Sequence, residues 1–191
     1  MILVIDTTSA GIRLAMRKGA TSCAPQGPPL QIQIETDKQS VALPVLVEKF
    51  LGDAGATFKG LTAIGVIVGP GSFTGIRLSI AYAKGLSIAL GIPVVPVNGF
   101  EVYLEHTPDA FVAIDSNRGD FFVAAADSEP TIMSIDDVET EQMKYAKTVG
   151  HKPYDLTDAL TIVARKLTSE IPPAIPLYRR PHYADTTCKS S

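Results

Sequence analysis

A chain of 191 residues can bury one large core or two smaller ones. With 46% hydrophobic and 19% charged residues its composition is globular, and a net charge of −3 argues against a basic nucleic-acid surface of its own. The opening run Met1–Asp6 has no basic leader, and the longest apolar helix carries Arg77 and Lys84. Neither a signal peptide nor a membrane span is therefore expected, and a cytoplasmic setting fits.

Ile2–Ile5 is a short apolar run ending at the polar turn Asp6-Thr7-Thr8-Ser9, the pattern of a buried strand. Ile12–Met16 alternates, with Ile12, Leu14 and Met16 on one face and Arg13 on the other. Lys18–Pro29, rich in Gly, Pro and Ser, predicts a loop. In Leu30–Glu35, Leu30, Ile32 and Ile34 alternate against Gln31, Gln33 and Glu35. Three strands thus open the chain, expected as an antiparallel meander. Ser40 can cap a helix to about Leu51, with Pro44 tolerable in its first turn and Gly52 and Gly55 ending it. Ala63–Val68 is continuously apolar, as in a strand buried on both faces. A tight loop, Gly69–Gly75, leads to a helix over Ile76–Leu90, stopped by Gly91 and Pro93, and then to a strand at Val94–Val97. The order βββαβα is the repeating unit of the actin-like, sugar-kinase and Hsp70 (ASKHA) group of α/β folds.

The pattern then begins again. Phe111–Asp115 and Phe121–Ala126 predict two strands joined by the hairpin Ser116-Asn117-Arg118-Gly119, and Asp127–Val138 is expected to hold a third. Tyr154–Leu167 has a helical stripe of Leu156, Leu160, Val163 and Leu167, and the chain after Ile171 is Pro-rich and polar. The expected domains are a first lobe over 1–97, a shortened second lobe over 98–171 and an extended tail over 172–191. Cys23 and Cys188, far apart, read as two separate thiols of a reducing compartment more readily than as a disulfide.

The helix over 76–90 has no broadly polar face. Gly75, Ser79, Ala83 and Ser87 form one row of small residues, and Ala81, Gly85 and Ala89 a second. Leu78, Tyr82, Leu86 and Leu90 form a large apolar row, and Ile76, Ile80 and Ile88 another, broken by Lys84. Such a helix is expected to be buried on every side, either as the central helix between the lobes or partly in a subunit interface. The preceding helix is broadly apolar too, which favours an interface built from both. The candidate contact residues are Val41, Val45, Ile76, Ser79, Ile80, Tyr82, Ala83 and Ser87, and Ala83→Glu is expected to split such an assembly without unfolding the lobe. The loop before the helix, with Gly71, Ser72, Thr74, Gly75 and Arg77, reads either as an anion-binding turn or as a structural one. It lacks the Gly-Lys-Ser/Thr ending of a Walker loop.

Gly69-Pro70-Gly71-Ser72-Phe73-Thr74-Gly75-Ile76-Arg77, followed by Ala83-Lys84-Gly85-Leu86, resembles the signature of the TsaB (YeaZ) family. Ile5-Asp6-Thr7-Thr8, Ala113-Ile114-Asp115 with Arg118-Gly119, and Pro176-Leu177-Tyr178-Arg179 also fit it. The resemblance implies a subunit of the machinery that makes threonylcarbamoyladenosine beside the anticodon of certain tRNAs. It implies a scaffold that binds a TsaD-like catalytic subunit through the two-helix surface, homodimerises through that surface when alone, and is joined by a TsaE-like ATPase. The tRNA is reached only through the complex.

The resemblance also implies that the chain is not catalytic alone. TsaD-like proteins carry metal-binding histidines in a Val-Asn-His-x-x-x-His pattern, where Val97-Asn98-Gly99-Phe100-Glu101-Val102-Tyr103 has Gly99 and Tyr103. His106, His151 and His182 show no ligand spacing. After residue 100 the glycines are Gly119 and Gly150, with no Gly-Gly pair for a nucleotide turn. No cofactor is therefore expected on the isolated chain, and ATP or ADP and a metal ion are expected on its partners. Asp6 and Asp115 stand at strand ends where ATP-using relatives hold magnesium, and also where carboxylates cap turns. The alternatives are an ATP-dependent small-molecule enzyme of the same fold, or a glycoprotease-like peptidase with Ser72 as nucleophile.

Overall fold

The computed structural model describes residues 1–18, 28–125 and 128–177. Cys23, Cys188, His182, Tyr178, Arg179 and most of the expected tail lie outside the described residues. Two compact units are present, Met1–Val102 with Tyr154–Pro176, and Tyr103–Pro153.

In the first unit β1 (Ile2–Asp6), β2 (Ile12–Arg17) and β3 (Leu30–Ile34) form the expected antiparallel meander. β4 (Ala63–Ile67) and β5 (Val94–Val97) join in parallel on the other side of β1, giving the order β3-β2-β1-β4-β5. Strand alternation assigns each sheet face its own residues. Ile2, Val4, Ala15, Ala63, Ile67, Val95 and Val97 share one face and pack against α5 (Leu156–Lys166) through Leu156, Ala159, Leu160 and Val163. Gly65 lies on this face too, and a Cβ there would sit 2.5 Å from Val163 Cγ2, so its missing side chain lets α5 approach. Leu3, Ile5, Leu14, Met16, Ile64 and Val66 point the other way. They lie under α1 (Gln39–Asp53), which packs on β2, and α2 (Phe73–Leu90), which packs mainly on β4.

Both helix starts differ from expectation. α1 begins after Lys38, with no side-chain cap, so Ser40 lies inside the helix and Pro44 beyond its first turn. What holds that start is tertiary: Gln39 Nε2 donates to the carbonyls of Ser9 and Gly11. α2 begins at Phe73, because Ser72 Oγ accepts the N–H of Gly75 at 3.2 Å and caps it. Gly91, at φ 66°, closes α2 as anticipated, its N–H bonding the Ser87 carbonyl. The short α3 (Gly99–Leu104) follows β5.

The second unit contains β6 (Phe111–Asp115), β7 (Asp120–Ala124), β8 (Thr131–Ser134) and the two-residue β9 (Thr148–Val149), in the order β8-β7-β6-β9. That order repeats the first four strands of the larger sheet. The third strand expected across 127–138 shrinks to β8, because Ser134 caps α4 (Ile135–Gln142) by accepting the Asp137 N–H. Phe111, Ala113, Val123, Ala125 and Val138 form its core, with Tyr145 stacked on Phe111. Gly150 is confined to glycine by contact, since a Cβ would lie 2.2 Å from the Ala113 carbonyl oxygen.

The expected boundaries of 97 and 171 therefore differ from the units observed. α5, read as a second-lobe helix, belongs to the first unit, because its strongly apolar face covers the back of the five-stranded sheet. Among the described residues no helix is long and apolar enough to cross a membrane.

Candidate functional site

Asp6 ends β1 and is buried, yet its carboxylate is fully engaged by the protein. Oδ1 accepts from the Thr8 N–H at 2.8 Å and the Thr8 hydroxyl at 2.7 Å, closing the anticipated polar turn. Oδ2 accepts from Arg13 Nε at 3.1 Å, from Arg13 Nη2, and from the Tyr154 hydroxyl at 2.8 Å. Arg13 Nη1 donates to the Tyr154 carbonyl, and the guanidinium lies 4.3 Å from the centroid of the Tyr154 ring. The four lone-pair positions of the carboxylate are taken up by these donors. The surroundings of Asp6 do not fit a magnesium-bound nucleotide, since a cation would have to displace Arg13. Asp115, which is exposed, accepts the Asn117 N–H at 2.7 Å and so caps the hairpin turn.

The Asp6–Thr8 turn also fixes the glycine loop. Thr7 Oγ1 donates to the Gly75 carbonyl at 2.6 Å, and the Ser72 N–H to the Thr8 carbonyl at 2.7 Å. A Cβ at Gly75 would lie 1.8 Å from the Thr7 carbonyl oxygen, and one at Gly71, whose φ is 148°, 2.3 Å from that of Thr8. Both glycines are thus required by close packing on the turn. Ser72 and Thr74 are exposed, and the exposed Arg77 stacks over the Phe73 ring at 5.2 Å.

Gly99 and Tyr103, the positions that the resemblance sets against histidines, are both engaged by the protein itself. Gly99 is buried, its N–H bonds the Gly69 carbonyl at 2.8 Å, and a Cβ would lie 3.1 Å from that oxygen. Tyr103 donates its hydroxyl to the Lys152 carbonyl. Among the described residues no group of three or more His, Cys, Asp or Glu side chains is arranged to hold a metal ion.

The eight candidate contact residues fall into two sets. Ile76, Ser79, Ile80 and Ala83 lie within the protein's own interior, Ala83 at 0% exposure, so a partner cannot reach them. These four pack on the sheet of the first unit, and Ser79 returns its hydroxyl to the Ile76 carbonyl. Val41 and Val45 are exposed by 71% and 64%, one turn apart on α1. Tyr82 and Ser87 are half-buried on α2, whose outer side presents Ala81, Gly85 and Ile88 together with Lys84, Ile88 being 86% exposed. Burial, followed by the nearby Glu48 carboxylate of α1, pushes the Tyr82 phenol above its usual pKa. The accessible apolar surface is therefore the outer side of α1 and α2. Arg13 is the residue sequence reasoning missed, and its signal was a charge inside the otherwise apolar run Ile12–Met16.

Residues 33–174 match the family model described as TsaD, tRNA N6-adenosine threonylcarbamoyltransferase. The tRNA N6-adenosine threonylcarbamoyltransferase of Clostridium kluyveri is 38% identical over 72 residues, which are 38% of this chain and 21% of that protein. The tRNA threonylcarbamoyladenosine biosynthesis protein TsaB of Buchnera aphidicola is 26% identical over 133 residues, 66% of this chain and 60% of its own length. The chain thus spans less than two thirds of either relative. Among solved structures, a Pseudomonas aeruginosa protein with similarity to peptidase YeaZ aligns at a TM-score of 0.75 and 19% identity, covering 94% of this chain and 99% of that one. YeaZ from Pseudomonas aeruginosa aligns at 0.73 and 18%, covering 93% and 98%. These two likenesses show the fold alone, the expected mixed α/β architecture with a smaller second sheet that repeats the strand order of the first.

Proposed function

We propose that this chain, which belongs to the TsaD family of tRNA N6-adenosine threonylcarbamoyltransferases, is a TsaB-type, non-catalytic subunit in the formation of threonylcarbamoyladenosine on tRNA. It docks a TsaD-like catalytic subunit on the outer side of α1 and α2 and uses that surface for a homodimer when alone. A TsaE-like ATPase joins the assembly, ATP or ADP and the metal ion reside on the partners, and tRNA is met through the complex.

The observation that carries this reading is the pair Val41 and Val45, apolar side chains of α1 left largely in water, together with Ile88 on the outer side of α2. Exposed apolar patches of this kind mark association surfaces. The non-catalytic part is supported by Asp6, whose carboxylate is consumed by Arg13, Tyr154 and Thr8, and by Gly99, which offers no ligand atom.

The test is reconstitution. The chain is mixed with the TsaD-like and TsaE-like proteins of its own source, and assembly and modified tRNA are measured with and without it. Modification that depends on this chain, with coelution abolished by Val41→Glu plus Val45→Glu, is the expected result. Tight binding of magnesium ATP to the isolated chain, or full modification in its absence, overturns it.

A further inference from the structure

β3 is an edge strand of the larger sheet: it pairs with β2 on one side and, among the described residues, with no strand on the other. Edge strands expose a row of backbone donors and acceptors, and proteins usually blunt them with lysines, prolines or bulges. Leu30–Ile34 carries no charge, no proline and no interruption of its pairing with β2. Its apolar residues stay partly in water, Leu30 by 41% and Ile34 by 37%.

The strand is also complementary to itself. In an antiparallel register centred on Ile32, Leu30 faces Ile34 of a second copy, Gln31 faces Gln33, and Ile32 faces its own equivalent. A two-fold axis perpendicular to a continuous sheet keeps each face with its like. The Leu30, Ile32 and Ile34 row, which the β2 register places beside Met16, Leu14 and Ile12, would meet the same row, and glutamine amides would meet across the opposite face. The pairing is bounded by Pro29, which has no N–H to give, and by Glu35.

We propose that a second copy of this chain pairs antiparallel along β3, joining two five-stranded sheets into one of ten, at a surface separate from the outer side of α1 and α2. A strand pair of about 17 Å gives a small contact, so the pairing is concentration-dependent. It does not rest on the docking of a TsaD-like subunit proposed above.

The test is sedimentation of the full chain from micromolar to millimolar concentration in a Val45→Glu background, which removes association through the helices. Dimerisation that persists there, weakens by about tenfold or more on adding Ile34→Lys, and returns on adding Leu30→Glu is the expected result. In the variant carrying both β3 substitutions, each introduced carboxylate faces the other copy's introduced ammonium, so its recovery also shows that the lysine did not simply unfold the strand. A Val45→Glu variant that stays monomeric throughout, or a dimer indifferent to Ile34→Lys, overturns the proposal. Binding of the Ile34→Lys chain to a TsaD-like subunit, measured separately, is expected to be unchanged, so the two readings fail independently.

Discussion

Arg13 stands directly opposite Asp6 in the β1–β2 register and gives its Nε and Nη2 hydrogens to the same carboxylate oxygen. Both residues are buried, and Tyr154 completes the set with its hydroxyl on Asp6 and its ring under the guanidinium. Tyr154 is where the chain re-enters the first unit, just before α5. The ion pair therefore ties the returning chain to the turn that seats α2.

Breaking that pair strands a charge in the interior. Arg13→Met is expected to destabilise the protein by about 3–5 kcal/mol, because Asp6 keeps its desolvation cost without its partner. The Asp6→Asn, Arg13→Met double variant is expected to lose less than the two single changes summed. Urea unfolding of the four proteins closes the cycle, and additive losses would show that the two residues act separately.

Gly65 is expected to resist substitution because α5 fills its space. Gly65→Ala brings a methyl group into Val163 and costs about 1–3 kcal/mol by overpacking, and Val163→Ala in the same chain relieves part of it. Thermal melts of the single and double variants measure the relief. Gly75→Ala has no such remedy, since the obstacle is the backbone oxygen of Thr7, and it is expected to displace the start of α2.

Ala83 and Val45 should respond oppositely to the same change. Ala83→Glu puts a carboxylate into a fully buried position and is expected to unfold the first unit, in place of the clean dissociation expected from the helix pattern alone. Val45→Glu, on an exposed site, is expected to change stability by about 0.5 kcal/mol or less while weakening partner binding about tenfold or more. Circular dichroism and coelution separate the two outcomes.

Tyr82 gives an alkaline signature. Its folded pKa is raised above 10.0 by burial and then by Glu48, so the unfolded chain releases this proton first. Stability from this group is fully present below about 10 and is lost as pH rises through the folded value. Tyrosinate absorbance is expected to show a late-titrating component that Tyr82→Phe removes and that Glu48→Gln shifts toward the ordinary range. Titration of Tyr82 together with the bulk would show that its surroundings do not protect it.

Much of this was legible in the residues. Ile2–Ile5, Ile12–Met16 and Leu30–Glu35 read as strands because alternation and apolar runs are local signals, and Gly91 marked the end of α2 because positive φ favours glycine. The Gly69–Gly75 loop was placed correctly, whereas the purpose of its glycines became visible only against the Thr7 and Thr8 carbonyls. α4 was missed because its capping serine, Ser134, closes a stretch that looked like continuous strand.

By itself, then, the sequence determined the five strands of the first unit and the β6–β7 hairpin, the two long helices of the first unit, its βββαβα order and the family signature, since these depend on neighbours along the chain. Which face of each element meets which other was decided by tertiary structure. It sent α5 to the back of the first sheet, turned Ile76, Ile80 and Ala83 inward while leaving Val41 and Val45 in water, and set Arg13 against Asp6. The physical reason is that a helix apolar on every side fits core and interface alike, and only the sheet beneath it selects the side that is buried.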